Sequence, residues 1–144
     1  MKTDNSSSKI AGSCSCGRVR YRATEDPFLV SYCHCTDCRK ATGAPVTVFV
    51  GFKSADVQFK GEKPDRHRPT PTVDRLFCAI CGTPIGYEDD QLPDEIYFYS
   101  STLEDPSRYL PQLHAWVSER LDWLHIEDDL PHYERFSRQR NSKA

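Results

Sequence analysis

The sequence has no stretch approaching the roughly 20 apolar residues that a membrane-spanning helix needs. Its first nine residues, MKTDNSSSK, carry no apolar segment after the charge, so no secretory leader is expected. Charge of one sign is also missing. The 19 Lys and Arg stand against 21 Asp and Glu in 144 residues, a formal charge of −2. That excludes a protein holding nucleic acid or an anionic membrane by net charge alone, and no broad basic stripe is present. Large apolar side chains are scarce. Leu, Ile, Val and Phe number 29, about a fifth of the chain. That is the level near which chains of high net charge are disordered. With low net charge, 7 Tyr and 2 Trp, the composition points instead to one folded domain with a thin core. Thin cores need staples.

What is plentiful is punctuation, with 10 Pro and 7 Gly spread throughout. Between the breaks, segments rich in Val, Phe and Tyr read as strands at 19–23, 28–32, 46–52, 57–59, 73–77, 85–87, 96–99 and 113–117. Short strands at intervals of about ten residues predict a mainly β fold. Along 46–52, Val46, Val48 and Val50 fall on one side and Thr47 and Phe49 on the other. One or two short helices are expected. The first covers 36–41 and stops at Gly43 and Pro45; the second covers 118–124, with Ser118 as N-cap and Leu121 and Leu124 facing inward. The polar stretch 65–71, DRHRPTP, reads as a solvated loop. Its Arg66, His67 and Arg68 give it a second reading as a binding edge for an anionic group. A polar N-terminal tail, 1–9, and a polar C-terminal tail, 134–144, flank the expected domain, 10–133. The Ser-rich start and the basic end from residue 137 are expected to be mobile.

The staples are cysteines. There are seven, in three clusters: Cys14-Ser-Cys16-Gly17, Cys33-His-Cys35-Thr-Asp-Cys38 and Cys78-Ala-Ile-Cys81-Gly82. An odd count disfavours a disulfide framework. The lack of a leader points to the reducing cytoplasm, where disulfides are rare. One or two residues between cysteines let a tight turn aim two thiolates at one ion, and zinc favours thiolates in a tetrahedral shell. A mixture of buried core cysteines and redox thiols does not explain why all seven cluster. A closed structural zinc site takes four protein ligands, and a reactive one takes three. Seven therefore divides into two zinc sites. One partition joins Cys14 and Cys16 to Cys78 and Cys81 and leaves Cys33, Cys35 and Cys38 as the open site. The spacing also allows the second cluster to pair with the third. His34 lies between two ligating cysteines, and side chains of adjacent residues do not easily reach one ion.

Three segments are similar to a known family. They are Gly12-Ser-Cys-Ser-Cys-Gly-Arg-Val-Arg-Tyr, Cys33-His-Cys-Thr-Asp-Cys-Arg-Lys-Ala-Thr-Gly-Ala and Arg75-Leu-Phe-Cys-Ala-Ile-Cys-Gly-Thr-Pro. Together they resemble the glutathione-dependent formaldehyde-activating enzymes, a group that includes the centromere protein V domain. The resemblance extends over about residues 10–133 and matches the order, spacing and flanks of all three clusters. It implies a zinc-stabilised β-tent fold of short antiparallel sheets. It also implies a structural zinc on Cys14, Cys16, Cys78 and Cys81, and a catalytic zinc on Cys33, Cys35 and Cys38.

Zinc with three thiolates carries a net charge of −1, which blunts the acidity of bound water and disfavours hydrolysis by a metal hydroxide. An incoming thiol fits the fourth position better, held as thiolate beside an electrophile. Glutathione adding to formaldehyde, giving S-hydroxymethylglutathione, is that reaction, and it makes the chain a carbon–sulfur lyase. Arg39 and Lys40, directly after the triple, are candidates to offset its charge or hold a glutathione carboxylate. Tyr97, Tyr99, Trp116 and Trp123 read as core. His114 and His125 are suited to carry protons at neutral pH, although nothing in the sequence ties them to the zinc. The alternative is a zinc-stabilised binding or carrier module without turnover, serving glutathione or a protein partner. A redox thiol switch is the remaining reading. The complete triple favours the enzyme, because a scaffold needs only the closed site.

Overall fold

A computed structural model describes residues 10–140. The expected tail 1–9, and residues 141–144 of the other, lie outside the described residues. In chain order the strands are β1 (Ile10–Ser13), β2 (Val19–Ala23), β3 (Leu29–Cys33), β4 (Thr47–Lys53), β5 (Val57–Gly61), β6 (Asp65–His67), β7 (Val73–Phe77), β8 (Pro84–Asp89), β9 (Glu95–Tyr99) and β10 (Leu113–Ala115). The single α-helix among the described residues, α1 (Thr36–Thr42), follows β3 and ends at Gly43. The architecture is mainly β, as the spacing of apolar segments predicts.

Two sheets form. The smaller has the order β1-β2-β5, and the larger has the order β10-β3-β4-β9-β8-β7-β6. All pairs are antiparallel except β10 with β3, which is parallel. Period-two alternation gives the large sheet two different faces. Val30 of β3, Val50 and Phe52 of β4, and Ile96 and Phe98 of β9 join Ile10, Val19 and Tyr21 of the small sheet in one core. Tyr21 stacks on Phe98 with ring centroids 3.7 Å apart. The Tyr21 hydroxyl meets Thr102 Oγ1 at 2.6 Å, so the buried polar atom is satisfied. The residues between these, Cys33, Phe49, Tyr97 and Tyr99, form a second cluster on the opposite face. That second face carries the candidate site.

Backbone contact between β8 and β9 is close. A Cβ added to Gly86 would lie 2.0 Å from the Tyr97 carbonyl oxygen and 2.9 Å from the Phe98 Cα. Neither backbone atom can retreat without breaking the sheet. Gly86→Ala is therefore expected to lower stability by about 3 kcal/mol, read from the midpoint of urea unfolding.

Three sequence expectations are corrected. First, the solvated loop at 65–71 is in part a strand. Residues 65–67 form β6 on the edge of the large sheet, and Arg66 pairs with Glu88 at 2.6 Å and Asp74 at 3.1 Å. Arg68 pairs with Asp74 and Asp90, so both arginines of the supposed anion edge already have carboxylate partners. Second, the helix expected at 118–124 is only a 3₁₀ turn over Val117–Glu119. The N–H groups of Val117 and Ser118 donate to Tyr133 and Glu134 carbonyls, and the Ser118 hydroxyl donates to Glu134 instead of capping a helix. Third, residues 134–140, read from sequence as part of a polar tail that is mobile from residue 137, pack across the second face. Arg138 pairs with Glu95, and Arg140 pairs with buried Asp89 at 2.7 Å.

Candidate functional site

The first and third cysteine clusters converge where the two sheets meet. Cys14 and Cys16 follow β1, and Cys78 and Cys81 follow β7. Each pair sits on a turn carrying a glycine at φ 81°, Gly17 and Gly82, a conformation that only glycine adopts without strain. One sulfur from each of the four lies within 4.8 Å of the others. Cys14 and Cys16 sulfurs are 3.6 Å apart, and Cys16 and Cys78 sulfurs are 3.8 Å apart. Zinc–sulfur bonds of about 2.3 Å in a tetrahedron put neighbouring sulfurs about 3.8 Å apart, so the donor set fits that ion. Backbone N–H groups of Val19 and Cys81 point at the sulfurs of Cys14 and Cys78. Hydrogen bonding from Thr83 pushes the Cys81 thiol down to about 5.

The middle cluster stands alone, on the second face of the large sheet. Cys33 ends β3. Cys35 caps α1, its sulfur accepting the Cys38 N–H at 3.3 Å. Cys38 lies on the helix, its sulfur 3.6 Å from that of Cys33. All seven cysteines are free thiols. Between the two partitions that the spacing allows, the one joining the first cluster to the third is the one assembled here. Arg75, reaching in from β7, sets Nη1 3.6 Å from the Cys38 sulfur and donates to the Tyr99 hydroxyl at 3.1 Å. Its guanidinium lies over the Tyr87 ring, 5.3 Å from the centroid. Hydrogen bonding from Cys33 and Cys35, with the charge of Arg75 added, pushes Cys38 down to about 3. Hydrogen bonding with Cys35 and Cys38, together with burial, pushes Cys33 up. One thiolate shared among three sulfurs beside a fixed cation is what this geometry favours.

A cavity of about 400 Å³ opens over this triple. Its walls include Leu29, Phe49, Tyr87, Tyr97 and Trp116, with Arg75, Arg138 and Arg140 among the polar groups. Trp116 holds φ 60°, the one positive φ outside glycine among the described residues. Its N–H donates to the Arg135 carbonyl, and its ring meets Phe136 edge-on at 5.1 Å. Strain of this kind persists where surroundings enforce it, commonly at functional sites.

The glutathione-dependent formaldehyde-activating enzyme family model matches residues 9–119. This chain belongs to that family. A Halomonas elongata protein named for glutathione-dependent formaldehyde activation is 26% identical over 131 aligned residues, covering 82% of this chain and 81% of its own. An uncharacterised lyase of Schizosaccharomyces pombe is 28% identical over 72 residues, half of this chain and 52% of its own. A crystal structure of a Rhodobacter sphaeroides protein superposes with TM-score 0.54 at 18% identity, covering 85% of this chain and 98% of that one. That likeness shows the fold.

For this family member, the structure redistributes the remaining candidates. Arg39 does not line the cavity. Its guanidinium donates to the carbonyls of His34 and Glu119 and clasps the start of α1. Lys40 borders a separate cleft with Arg66 and His67. Tyr97, read from sequence as core, is 2% exposed and belongs to the second cluster, with Trp116 packed against that cluster; both also line the cavity, whereas Trp123 is 67% exposed. His34 turns away from the sulfurs into the protein, where its Nε2 meets His114 Nδ1 at 2.9 Å. Burial pushes it down to about 4, so it is neutral at pH 7. His125 stays at the surface. Arg75, Tyr87 and Glu119, whose carboxylate accepts the Thr36 N–H at 2.7 Å, were not candidates from sequence. A lone Arg in a strand and a lone Glu in a turn carry no local signal. Only pairing of β7 beside β8, and of residues 117–118 beside 133–134, delivers them.

Proposed function

We propose that this chain is an S-(hydroxymethyl)glutathione synthase-like carbon–sulfur lyase. It takes a small thiol, with glutathione as the named candidate, and adds it to formaldehyde or a related aldehyde. The observation that supports it is the gathering of the Cys33, Cys35 and Cys38 sulfurs on the wall of a cavity, with Arg75 against Cys38. In this reading Cys14, Cys16, Cys78 and Cys81 hold a structural zinc, and Cys33, Cys35 and Cys38 hold a second, catalytic one. When bound by three thiolates, zinc supplies a soft fourth position for a deprotonated sulfur.

The chain's own residues do the rest. Phe49, Tyr97 and Trp116 exclude water from the reacting sulfur. Arg75 keeps a permanent positive charge where negative charge accumulates. The reaction balances without a co-reactant. A carbon–sulfur bond forms, the carbonyl π bond opens, and the proton lost by sulfur ends on the aldehyde oxygen. The working unit extends to at least Arg140, because residues 136–140 contribute to the cavity wall. The reading places the protein in the reducing cytoplasm, where free thiols persist.

Exchange of label between free formaldehyde and its glutathione adduct, followed by nuclear magnetic resonance, tests the activity. Acceleration that saturates with protein is expected. Saturable glutathione binding with no acceleration overturns turnover and leaves a carrier. Arg75→Gln is expected to lower the rate about tenfold to a hundredfold, because hydrogen bonds to charged groups contribute about 1.5–3 kcal/mol. An unchanged rate removes Arg75 from the site.

A further inference from the structure

A second constellation of ligand-type side chains lies at the far end of the His34 contact. His114, Asp128 and His132 each bring one donor atom within 4.8 Å of the others. His114 Nε2 lies 2.9 Å from Asp128 Oδ2. The His132 ring meets the His114 ring at 4.7 Å between centroids, and their backbones are joined by a parallel bridge. We propose that these three residues form a metal site separate from both cysteine clusters, taking a borderline divalent ion such as zinc, cobalt or nickel through two imidazole nitrogens and one carboxylate.

The surroundings are those of a built site. A ligating histidine usually has its other ring nitrogen fixed by a neighbour, and His114 Nδ1 is fixed by His34 Nε2 at 2.9 Å. His114 is 2% exposed, so its ring cannot swing away. The second oxygen of Asp128 accepts the Leu130 N–H at 3.1 Å, which holds the carboxylate. Asp128 and His132 are exposed, which leaves the outward side open for water ligands. Without an ion, the His114 Nε2–H donates to Asp128, and its Nδ1 accepts from His34. With an ion on Nε2, Nδ1 carries the proton and donates to His34 Nε2. The two rings exchange donor and acceptor roles at the nitrogens that face each other. His34 Nδ1 is buried with no partner in this structure.

The location gives the ion a consequence. Phe136, Ser137, Arg138 and Arg140, a few residues after His132, line one side of the cavity over the cysteine triple. An ion tying His132 and Asp128 to β10 therefore pins that wall. The donors contain no sulfur, so the proposal is distinguishable from the reading of the cysteine clusters.

The test is a titration of zinc-replete full-length protein with Co²⁺. One further equivalent is expected to bind without the near-ultraviolet sulfur-to-cobalt band that either cysteine site would produce. His132→Ala should abolish that equivalent, and Asp128→Asn should weaken it about tenfold or more. Both residues are exposed, so the variants should fold. Binding should also slow proteolysis within 125–140 in the wild type and not in His132→Ala. No further equivalent in the wild type overturns the site. So does a further equivalent that both variants retain, or one that brings the sulfur band.

Discussion

Cys78→Ser is expected to abolish the soluble folded protein. Cys78 lies at the end of β7 in the large sheet, and its partner cysteines Cys14 and Cys16 lie at the end of β1 in the small one. Its sulfur sits 3.8 Å from that of Cys16, across 62 residues of chain. It is also part of the core that the two sheets share. A structural zinc in finger peptides binds with an apparent free energy of about 10–16 kcal/mol. A whole domain is stable by only about 5–15 kcal/mol. Serine offers a hydroxyl in place of a thiolate and leaves a polar atom in an apolar site. The two penalties act together, so the variant should be insoluble or lack a cooperative thermal transition. Soluble yield, the thermal midpoint and zinc content per chain are the measurements. An unchanged midpoint with unchanged zinc content overturns the assignment of a structural ion to this cluster.

The cysteine clusters were legible in the sequence because their geometry is local. One or two intervening residues and a following glycine fix two sulfurs on one turn, whatever the rest of the chain does. Which clusters join was not legible from spacing, because it depends on the ends of β1 and β7 meeting 62 residues apart. Alternation along 46–52 correctly divided Val48 and Val50 from Phe49. What it could not say is that the second apolar cluster on the Phe49 side also walls a cavity. Tyr97 and Trp116 belong to that cluster, as their core reading expects, yet they also line the cavity, and an aromatic with both roles has the same sequence pattern as one with a single role. The expected helix at 118–124 failed through tertiary pairing. Val117 and Ser118 pair with the carbonyls of Tyr133 and Glu134, and the Ser118 hydroxyl expected to cap the helix donates to Glu134, which a window of seven residues cannot foresee. The cavity wall at 136–140 was hidden by composition. Arg138 and Arg140 read as tail residues until Glu95 and Asp89 are seen to receive them.

Cys38→Ser should behave differently from Cys78→Ser, and the contrast separates the two sites. Cys33, Cys35 and Cys38 belong to the second apolar cluster and not to the core between the sheets. The fold should therefore persist with a cooperative transition, while one metal equivalent is lost. Activity should fall at least about a hundredfold, the loss that misplacing a reacting group commonly brings. Thiol binding gives a sharper readout. A thiol entering the metal's fourth position binds as thiolate, yet a free thiol of pKa about 8.5 is mostly protonated at neutral pH. Binding to the wild type should release about one proton per thiol. It should strengthen as pH rises toward 8.5 and then level off, because above that pH the free thiol is already ionised. Cys38→Ser should show neither proton release nor the pH rise. S-methylglutathione, with intact carboxylates and no ionisable sulfur, should bind the wild type poorly. Equal binding of S-methylglutathione would show that the thiol's sulfur is not what the site holds. Global unfolding of Cys38→Ser, with Cys78→Ser well folded, would mean that the structural and reactive clusters have exchanged roles.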